Sequence, residues 1–244
     1  MEKQSKKIQK EILTLIKNEL NENTALLGIN FATSGGSPVA SQFKDKITEL
    51  KEMEIAAASS SLLFVSHNML RGSLNQEISY NLIAGKEIMV VSIMSDDVSM
   101  IAYLDRELAE LEGVDKIIRH LKTFTIKVTA IIETSNIIKD EIFVAIKRAI
   151  PNALVIAIIT KEGLPIKIQA TMPESTISAM ISAVYNLSDI LTGGMEFSII
   201  AGENGSIIIH ELDESRVLCV AVPEADESKL GTYIVKIKKI IENK

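Results

Sequence analysis

Two stretches of this sequence, Tyr80-Asn-Leu-Ile-Ala-Gly85 and Phe197-Ser-Ile-Ile-Ala-Gly202, share one pattern, and Gly85 and Gly202 are 117 residues apart. Further pairs follow at the same separation: Val90-Val91 with Ile207-Ile208, Asp96-Asp97 with Asp213-Glu214, Ile101-Ala102 with Leu218-Cys219, and Ile117-Ile118 with Ile234-Val235. A chain of 244 residues with this repeat is predicted to hold two copies of one small domain. A duplicated domain of this size is more often a pre-built dimer than an enzyme.

The composition of the chain indicates which kinds of partner and which cellular location to expect. Apolar residues make up 47% of the chain, which predicts that the two copies cover each other or a partner. A net charge of −6 and 4% aromatic residues argue against nucleic acid as a partner, because such a partner requires a basic face. No apolar run approaches the ~18 residues of a membrane span. The N-terminus lacks a secretory signal, and the single Cys219 excludes an intrachain disulfide, so we expect a cytoplasmic location.

Apolar periodicity predicts the element order α-β-β-α-β-β-β-α in the second copy. The predicted helices cover 136–150, 173–191 and 227–241, and the predicted strands cover 153–160, 165–170, 196–201, 206–212 and 216–222. The first copy follows the same order, with helices near 6–21 and 53–70 and strands near 25–33, 38–42, 78–84, 87–94 and 98–104. It carries ten extra charged residues near 43–52, predicted as a loop or a short helix.

The segment between the copies is ambiguous in sequence. Its β-branched residues favour a strand over 123–134, whereas the spacing of Ile117, Leu121, Phe124, Val128 and Ile131 favours a helix. We favour one long helix from Asp105 to Glu133 that joins the copies. The predicted domains are therefore 1–122 and 136–244, with 123–135 as a connecting helix or linker.

The order of elements resembles the roadblock, or dynein light chain, fold, a profilin-like α+β domain with a five-stranded antiparallel sheet. The resemblance is carried by Gly163-Leu-Pro-Ile166, by the small residues of Ser178-Ala-Met-Ile-Ser-Ala183, by the Gly202 turn and by an acidic turn before the last strand. The first copy departs from the pattern at Gly36-Ser-Pro-Val39 and in its ten extra residues.

The resemblance implies a function without catalysis. Roadblock domains pair through their central helices and third strands, and such dimers serve as platforms for Ras-like small GTPases or for other roadblock proteins. The sequence is therefore interpreted as a non-enzymatic regulator or scaffold, with a pair of small-molecule sensor domains as the alternative. The apolar stripe of the helix at 173–191 is wider than one sheet requires. The predicted interface residues are Ile177, Met180, Ile181, Ala183 and Val184, with Leu63 and His67 in the first copy.

Other motifs favour structural roles. A strand rather than a helix follows Ser34-Gly-Gly-Ser37, which favours a hairpin turn over a phosphate-binding loop. The acidic pairs at 96–97 and 213–214 are typical of turns, and no histidine has zinc-site spacing. Cys219 is predicted to be an inert core thiol. Arg71 and Arg216 are the arginines considered for phosphoryl-transfer chemistry, although a solvated surface charge is the commoner role. We predict no catalytic residue, cofactor or metal site.

Overall fold

The computed structural model describes residues 2–44, 50–133 and 142–242, and the chain forms two compact units, residues 1–138 and 139–244. The first unit holds α1 (Glu2–Glu22), β1 (Leu26–Thr33), β2 (Pro38–Phe43), α2 (Glu52–Leu74), β3 (Asn81–Ala84), β4 (Ile88–Ser95), β5 (Val98–Asp105), α3 (Arg106–Glu112) and α4 (Val114–Glu133). The second holds α5 (Ile142–Ala149), β6 (Val155–Thr160), β7 (Pro165–Gln169), α6 (Glu174–Thr192), β8 (Phe197–Gly202), β9 (Gly205–Glu211), β10 (Arg216–Val222) and α7 (Glu227–Glu242).

Each unit is built on one antiparallel five-stranded sheet, in the orders β2-β1-β5-β4-β3 and β7-β6-β10-β9-β8. The two orders are the same once the strands are numbered within each unit. The predicted α+β fold, with two copies of the α-β-β-α-β-β-β-α order, is therefore confirmed. Parts of the predicted extra loop, at 45–49, and of the predicted helix from Asn136 lie outside the described residues.

The register of the strands corrects the sequence alignment by one residue in the last strand. Val91 pairs with Ala102 in the first sheet, whereas Ile208 pairs with Val220 in the second. The turn between β9 and β10 is thus one residue longer than the turn between β4 and β5. The separation of 117 residues holds through β4, but Ala102 corresponds to Val220 and not to Cys219.

The terminal helices of the first unit cover one face of its sheet. Phe31 of β1 meets Phe124 of α4 edge to face, with the ring centroids 5.9 Å apart. Val128 and Ile132, further along α4, are fully buried in the same core. Residues 123–133 are therefore helical and pack into the first unit. The predicted single helix from Asp105 is instead broken at Gly113, whose φ of +92° ends α3. The predicted domain boundaries stay a prediction, and the boundary between 135 and 136 falls among residues 134–141, which are not described.

In the second unit, the central helix α6 covers the sheet face opposite to the terminal helices. Ile177, Ile181 and Tyr185 point into a core that includes Ile159, Ile209 and Val217. Spacings of four residues place these three α6 side chains on one face of the helix. The same helix carries Ser182, whose Oγ donates to the carbonyl oxygen of Lys161 at 3.0 Å. The first hairpin of the unit is thereby tied to α6.

That hairpin turns in the same way in both units. The Gly36 N–H donates to the Thr33 carbonyl and the Gly163 N–H to the Thr160 carbonyl, each at 2.9 Å. Both glycines have positive φ, +74° and +91°, a conformation that a side chain disfavours. The Ser34–Ser37 segment is therefore a hairpin turn, as the sequence predicted.

We expect Gly163→Ala to destabilise the second unit by about 2 kcal/mol, because it forces a Cβ into positive φ. That Cβ would also lie 2.9 Å from Ser182 Cβ. Gly72→Ala is the matched control, since Gly72 lies in α2 with open space around it. Alanine there should stabilise by about 0.5–1 kcal/mol. Urea unfolding monitored by circular dichroism measures both changes, and equal effects of the two substitutions would contradict the strained turn.

Candidate functional site

The edge strands β3 and β8 carry exposed apolar side chains in both units. Exposure reaches 40% and 46% at Leu82 and Ile83 of β3 and 39% at Tyr80 just before it, and 38%, 38% and 44% at the corresponding Ile199, Phe197 and Ile200. These residues belong to the six-residue stretches that repeat in the sequence. Each strand is the last in its sheet and has one edge that is not paired within the sheet. Soluble proteins usually protect such an edge with charge or proline, so an apolar edge indicates an interaction surface.

Apolar side chains are exposed on both faces of β8. On one face this is because α6 covers only part of the sheet. The helix packs mainly on β6, β7 and β10. Side chains alternate along a strand, so Ile200 lies on the α6 side of the sheet, next to the partly exposed Ile207 of β9. Phe197 and Ile199 lie on the opposite side, which the terminal helices face. A partner would therefore find apolar contacts on both sides of the same strand.

An exposed apolar stripe runs along α6. Met180, Leu187, Ile190 and Leu191 are between 54% and 84% exposed, and Ala183 is exposed between them. Their spacing of three and four residues places them on one side of the helix. We call this stripe, together with β8 and Ile207, the apolar surface of the second unit. In the first unit the exposed Val65 and Met69 of α2 and the apolar residues of β3 occupy the comparable elements.

The predicted interface residues separate into exposed and buried groups. Met180 and Ala183 belong to the exposed stripe. Ile177 and Ile181 are buried against their own sheet, and Val184 packs partly against the same core. Leu63 is fully buried, and His67 is partly exposed with its Nδ1 buried. The assignment of all seven residues to an interface stays a prediction.

Sequence reasoning did not select the residues with the greatest exposure. Ile190 and Leu191 were part of the apolar stripe but were not named as interface residues, and Ile199 and Ile200 were assigned only to a strand. A signal for the strand residues was present, since the closest similarity between the copies falls on these two edge strands. Apolar similarity on an exposed edge strand, where burial within the unit does not require it, favours a role in contact.

A lysine from the terminal helix lies over the aromatic residue at the start of each edge strand. Lys122 Nζ of α4 is 4.9 Å from the centroid of the Tyr80 ring, and Lys238 Nζ of α7 is 5.5 Å from that of Phe197. The Phe197 ring also stacks on the ring of His210, with centroids 6.2 Å apart. Cation–π contacts of this kind contribute about 0.5–1 kcal/mol at exposed sites. These contacts hold the Tyr80 and Phe197 rings in place beside the exposed apolar residues of β3 and β8.

Lys238 also binds Glu196, the residue before Phe197. Its Nζ lies 2.6 Å from Glu196 Oε1, and this hydrogen bond holds the pKa of the Glu196 carboxyl below its usual value. We expect Lys238→Gln to return that pKa towards the ordinary glutamate value. The pair favours the folded state above the unfolded pKa of Glu196, and the effect is lost as pH falls through the folded value. NMR titration of the side-chain carboxyl measures the shift, and an unchanged Glu196 pKa in the variant would contradict the contact.

Arg216 and Cys219, which the sequence raised as possible chemical groups, are paired or buried. The guanidinium of Arg216 is buried and binds Asp213, with its Nη2 2.7 Å from Asp213 Oδ2. Arg216 is therefore a structural residue and not the exposed charge considered from the sequence. Asp213 Oδ1 also accepts from the backbone N–H groups of Ser215 and Arg216 at 3.0 Å, as expected for a turn aspartate. Burial raises the pKa of the Cys219 thiol to about 12, so it is protonated at neutral pH.

One charged cleft lies on the first unit. It has a volume of about 460 Å³ and is lined by Lys86, Glu87, Asp105, Arg106, Glu107 and Glu110. Arg106 already donates to Glu110 at 2.8 Å and to the Gly85 carbonyl at 2.9 Å. The lining lacks the apolar walls typical of small-molecule pockets. Among residues 2–44, 50–133 and 142–242, no group of three or more His, Cys, Asp or Glu is placed to hold a metal ion.

Solved structures similar to this chain include a Roadblock/LC7 domain, the fold that the sequence predicted. The Roadblock/LC7 domain from Streptomyces avermitilis is 16% identical, and the match covers 43% of this chain and 92% of that chain with a TM-score of 0.36. Myxococcus xanthus MglB is 18% identical over 41% of this chain and 89% of its own, with a TM-score of 0.36. The gliding protein MglB from Thermus thermophilus is 14% identical over 41% and 87%, with a TM-score of 0.34.

At these identities the likeness concerns the fold alone. Each match has roughly the length of one unit of this chain. No protein-family model matches the sequence, and no curated protein sequence matches it either. In the part of the chain that the structure describes, no helix is both long enough and apolar enough to cross a membrane.

Proposed function

We propose that this chain is a non-enzymatic regulator or scaffold that binds a Ras-like small GTPase, other roadblock proteins, or both. The apolar surface of the second unit and the matching edge strand of the first are the parts that would meet these partners. Because both copies lie in one chain, the two surfaces differ in sequence, and a single partner can bind in one orientation. A strict homodimer offers two identical surfaces instead. We also propose that the protein acts in the cytoplasm.

One observation carries the proposal: the apolar residues Leu82 and Ile83 of β3 are exposed to nearly the same extent as the corresponding Ile199 and Ile200 of β8. A solvent-facing strand would gain nothing from keeping Leu82, Ile83, Ile199 and Ile200 through a duplication. Pairing of a further strand with this edge would bury them and would supply partners for the backbone groups along the unpaired edge. The surface therefore supports association with another protein more directly than it supports chemistry.

The experiment tests association in two steps. Sedimentation velocity of the purified chain over a range of concentrations reports self-association. Biolayer interferometry then tests the small GTPases of the source cell, each loaded with GDP or with a non-hydrolysable GTP analogue. We expect saturable binding of at least one GTPase, with a preference for one nucleotide state. A monomeric chain that binds none of these GTPases and no roadblock protein would overturn the proposal.

A further inference from the structure

A lysine from the terminal helix reaches the start of the edge strand in both units, but its partner differs between them. In the first unit, Lys122 Nζ lies over the Tyr80 ring and donates a hydrogen bond to Ser79 Oγ. In the second unit, Lys238 occupies the corresponding place and forms an ion pair with Glu196. Ser79 and Glu196 are 117 residues apart, which is the separation of the repeat. The lysine is therefore neutralised by its own chain only in the second copy.

A second cation increases this difference. Arg119 is exposed and lies one helical turn before Lys122, on the same side of α4. Its Nε donates to the backbone carbonyl of Asp115 at 3.3 Å, so this bond does not neutralise the guanidinium. The residue three positions before Lys238 is Val235. Within the described part of the chain, neither Arg119 nor Lys122 forms an ion pair with a carboxylate.

The two cations lie beside the unpaired edge of the first sheet. Lys122 of α4 covers Tyr80, and alternation along the strand places Leu82 on the same face of the sheet. Tyr80 and Leu82 are 39% and 40% exposed, and β3 is the last strand of its sheet. In a strand added to this edge, the residue opposite Tyr80 would face α4, with its Cβ about 4.5–5.5 Å from that of Tyr80. An acidic side chain at that position comes within reach of Lys122.

The pattern of charge around β3 favours an acidic peptide over a polyanion. The chain carries a net charge of −6, and β3 itself is uncharged. Glu77 before the strand and Glu87 after it are both exposed. Nucleic acids and anionic membranes favour a broad basic face, which these two carboxylates interrupt. The positive charge is confined to the start of β3, where it suits a single carboxylate.

We propose that the first unit binds an extended, acidic segment of a partner protein along the edge of β3, with one carboxylate on Lys122 and Arg119. This proposal rests on the proposed function, since it specifies the chemistry of the partner that one of the two edges accepts. The strand edge supplies main-chain hydrogen bonds, and the exposed Leu82 and Ile83 supply apolar contacts. The two cations select the acidic residue. In the second unit Glu196 already occupies the place of that carboxylate, so the second edge does not make this selection.

A selection of peptides tests the proposal. A displayed library of random peptides is selected against the intact chain, and the affinity of each selected peptide is measured by fluorescence anisotropy. We expect the selected peptides to alternate apolar and polar residues and to carry Asp or Glu at one fixed position. Hydrogen exchange of residues 80–84 should slow when such a peptide binds. Selected peptides that lack the acidic position, or protection that excludes β3, would overturn the proposal.

Substitutions at Lys122 measure the ion pair. Lys122→Gln should weaken binding of a selected peptide by about two- to fivefold, as expected for a partly exposed ion pair. Replacing the acidic residue of the peptide by its amide should cost the same in the wild-type chain and nothing further in the variant. Lys127→Gln is the matched control, since Lys127 is exposed on α4 but lacks the three- or four-residue spacing from Lys122 that places side chains together. Equal effects of the two substitutions would contradict a direct contact with Lys122.

Exchange of the groups that meet the two lysines provides a reciprocal test. Ser79→Glu copies the second unit into the first and should lower the affinity of the peptide at least as much as Lys122→Gln. Glu196→Ser together with Val235→Arg copies the first unit into the second and should create a second peptide site. All three positions are exposed, so circular dichroism should show an unchanged fold. Unchanged affinity in the first variant, or no added site in the second, would mean that these charges do not select the peptide.

Failure of this proposal and failure of the proposed function give different results. If a GTPase or a roadblock protein binds equally well to wild type and Lys122→Gln, and the selected peptides are not acidic, the proposed function stands and the acidic segment is excluded. If acidic peptides bind at β3 but no GTPase or roadblock protein binds the chain, the peptide site stands and those classes of partner are excluded.

Discussion

Replacing Leu187 and Ile200 together by aspartate should weaken association of the chain with its partner, or with itself, by at least about tenfold, which corresponds to ~1.4 kcal/mol. Leu187 is 62% exposed on α6 and Ile200 is 44% exposed on β8. A partner that buries both would have to bury two unpaired carboxylates in the variant. Truncation of central apolar anchors alone often costs about 2 kcal/mol or more. Sedimentation velocity and biolayer interferometry measure the change.

The control for this variant is Val235→Asp. Val235 is 52% exposed on α7 of the same unit and does not belong to the apolar surface defined above. It adds one carboxylate, where the double variant adds two, to an exposed apolar site outside that surface, so association should change by less than about twofold. Circular dichroism should show that both variants keep their fold, because the altered side chains are largely exposed. Equal loss of association in the control and in the double variant would mean that the apolar surface is not the binding site.

Ala183→Glu extends the same reasoning to the stripe on α6. Ala183 is exposed between Met180 and Leu187, and its small side chain permits close approach of another helix. Glutamate at this position should alter the oligomeric state while the fold is kept. An unchanged mass by light scattering would remove the centre of α6 from the interface and would leave β8 as the remaining candidate.

The order of elements could be predicted because each helix and strand carries its own apolar period. Residues 174–192 repeat at three and four, and the strands at 155–160 and 165–169 are bounded by a glycine turn and a proline. The break at Gly113 was missed because a single glycine within a helical pattern is compatible with a continuous helix. Only its positive φ shows that α3 ends there. The longer turn before β10 was missed because β10 is apolar along most of its length. An alignment shifted by one residue there still matches apolar residues with apolar residues.

The surface features could not be predicted from the sequence for a different reason. An apolar run such as Phe197–Ile200 looks like a buried strand until the position of the helix over the sheet is known. Asn30 and Ser92 look like ordinary outward-facing strand residues, and they are far apart in the chain. Register places both beside Ile101 in one row, and the helix above them buries that row. Exposure and pairing between strands are properties of the assembled layers.

Phe124→Ala should destabilise the first unit by about 3–5 kcal/mol and leave the second unit unchanged. Phe124 lies in the segment 123–135 that the sequence suggested as a connector. Its ring is 7% exposed and meets the fully buried Phe31 edge to face. Removal of the ring leaves a cavity beside β1 and ends an aromatic contact. A connector with no role in the core would lose almost nothing.

Ile126→Ala is the matched control on the same helix. Ile126 is 62% exposed, so its truncation should change stability by less than about 0.5 kcal/mol. Hydrogen exchange measured by mass spectrometry separates the two units, because peptides from β1 and β5 report on the first and peptides from β6 and β10 on the second. Phe124→Ala should speed exchange in β1 and β5 only. Equal protection in both variants would mean that residues 123–133 connect the units without stabilising the first.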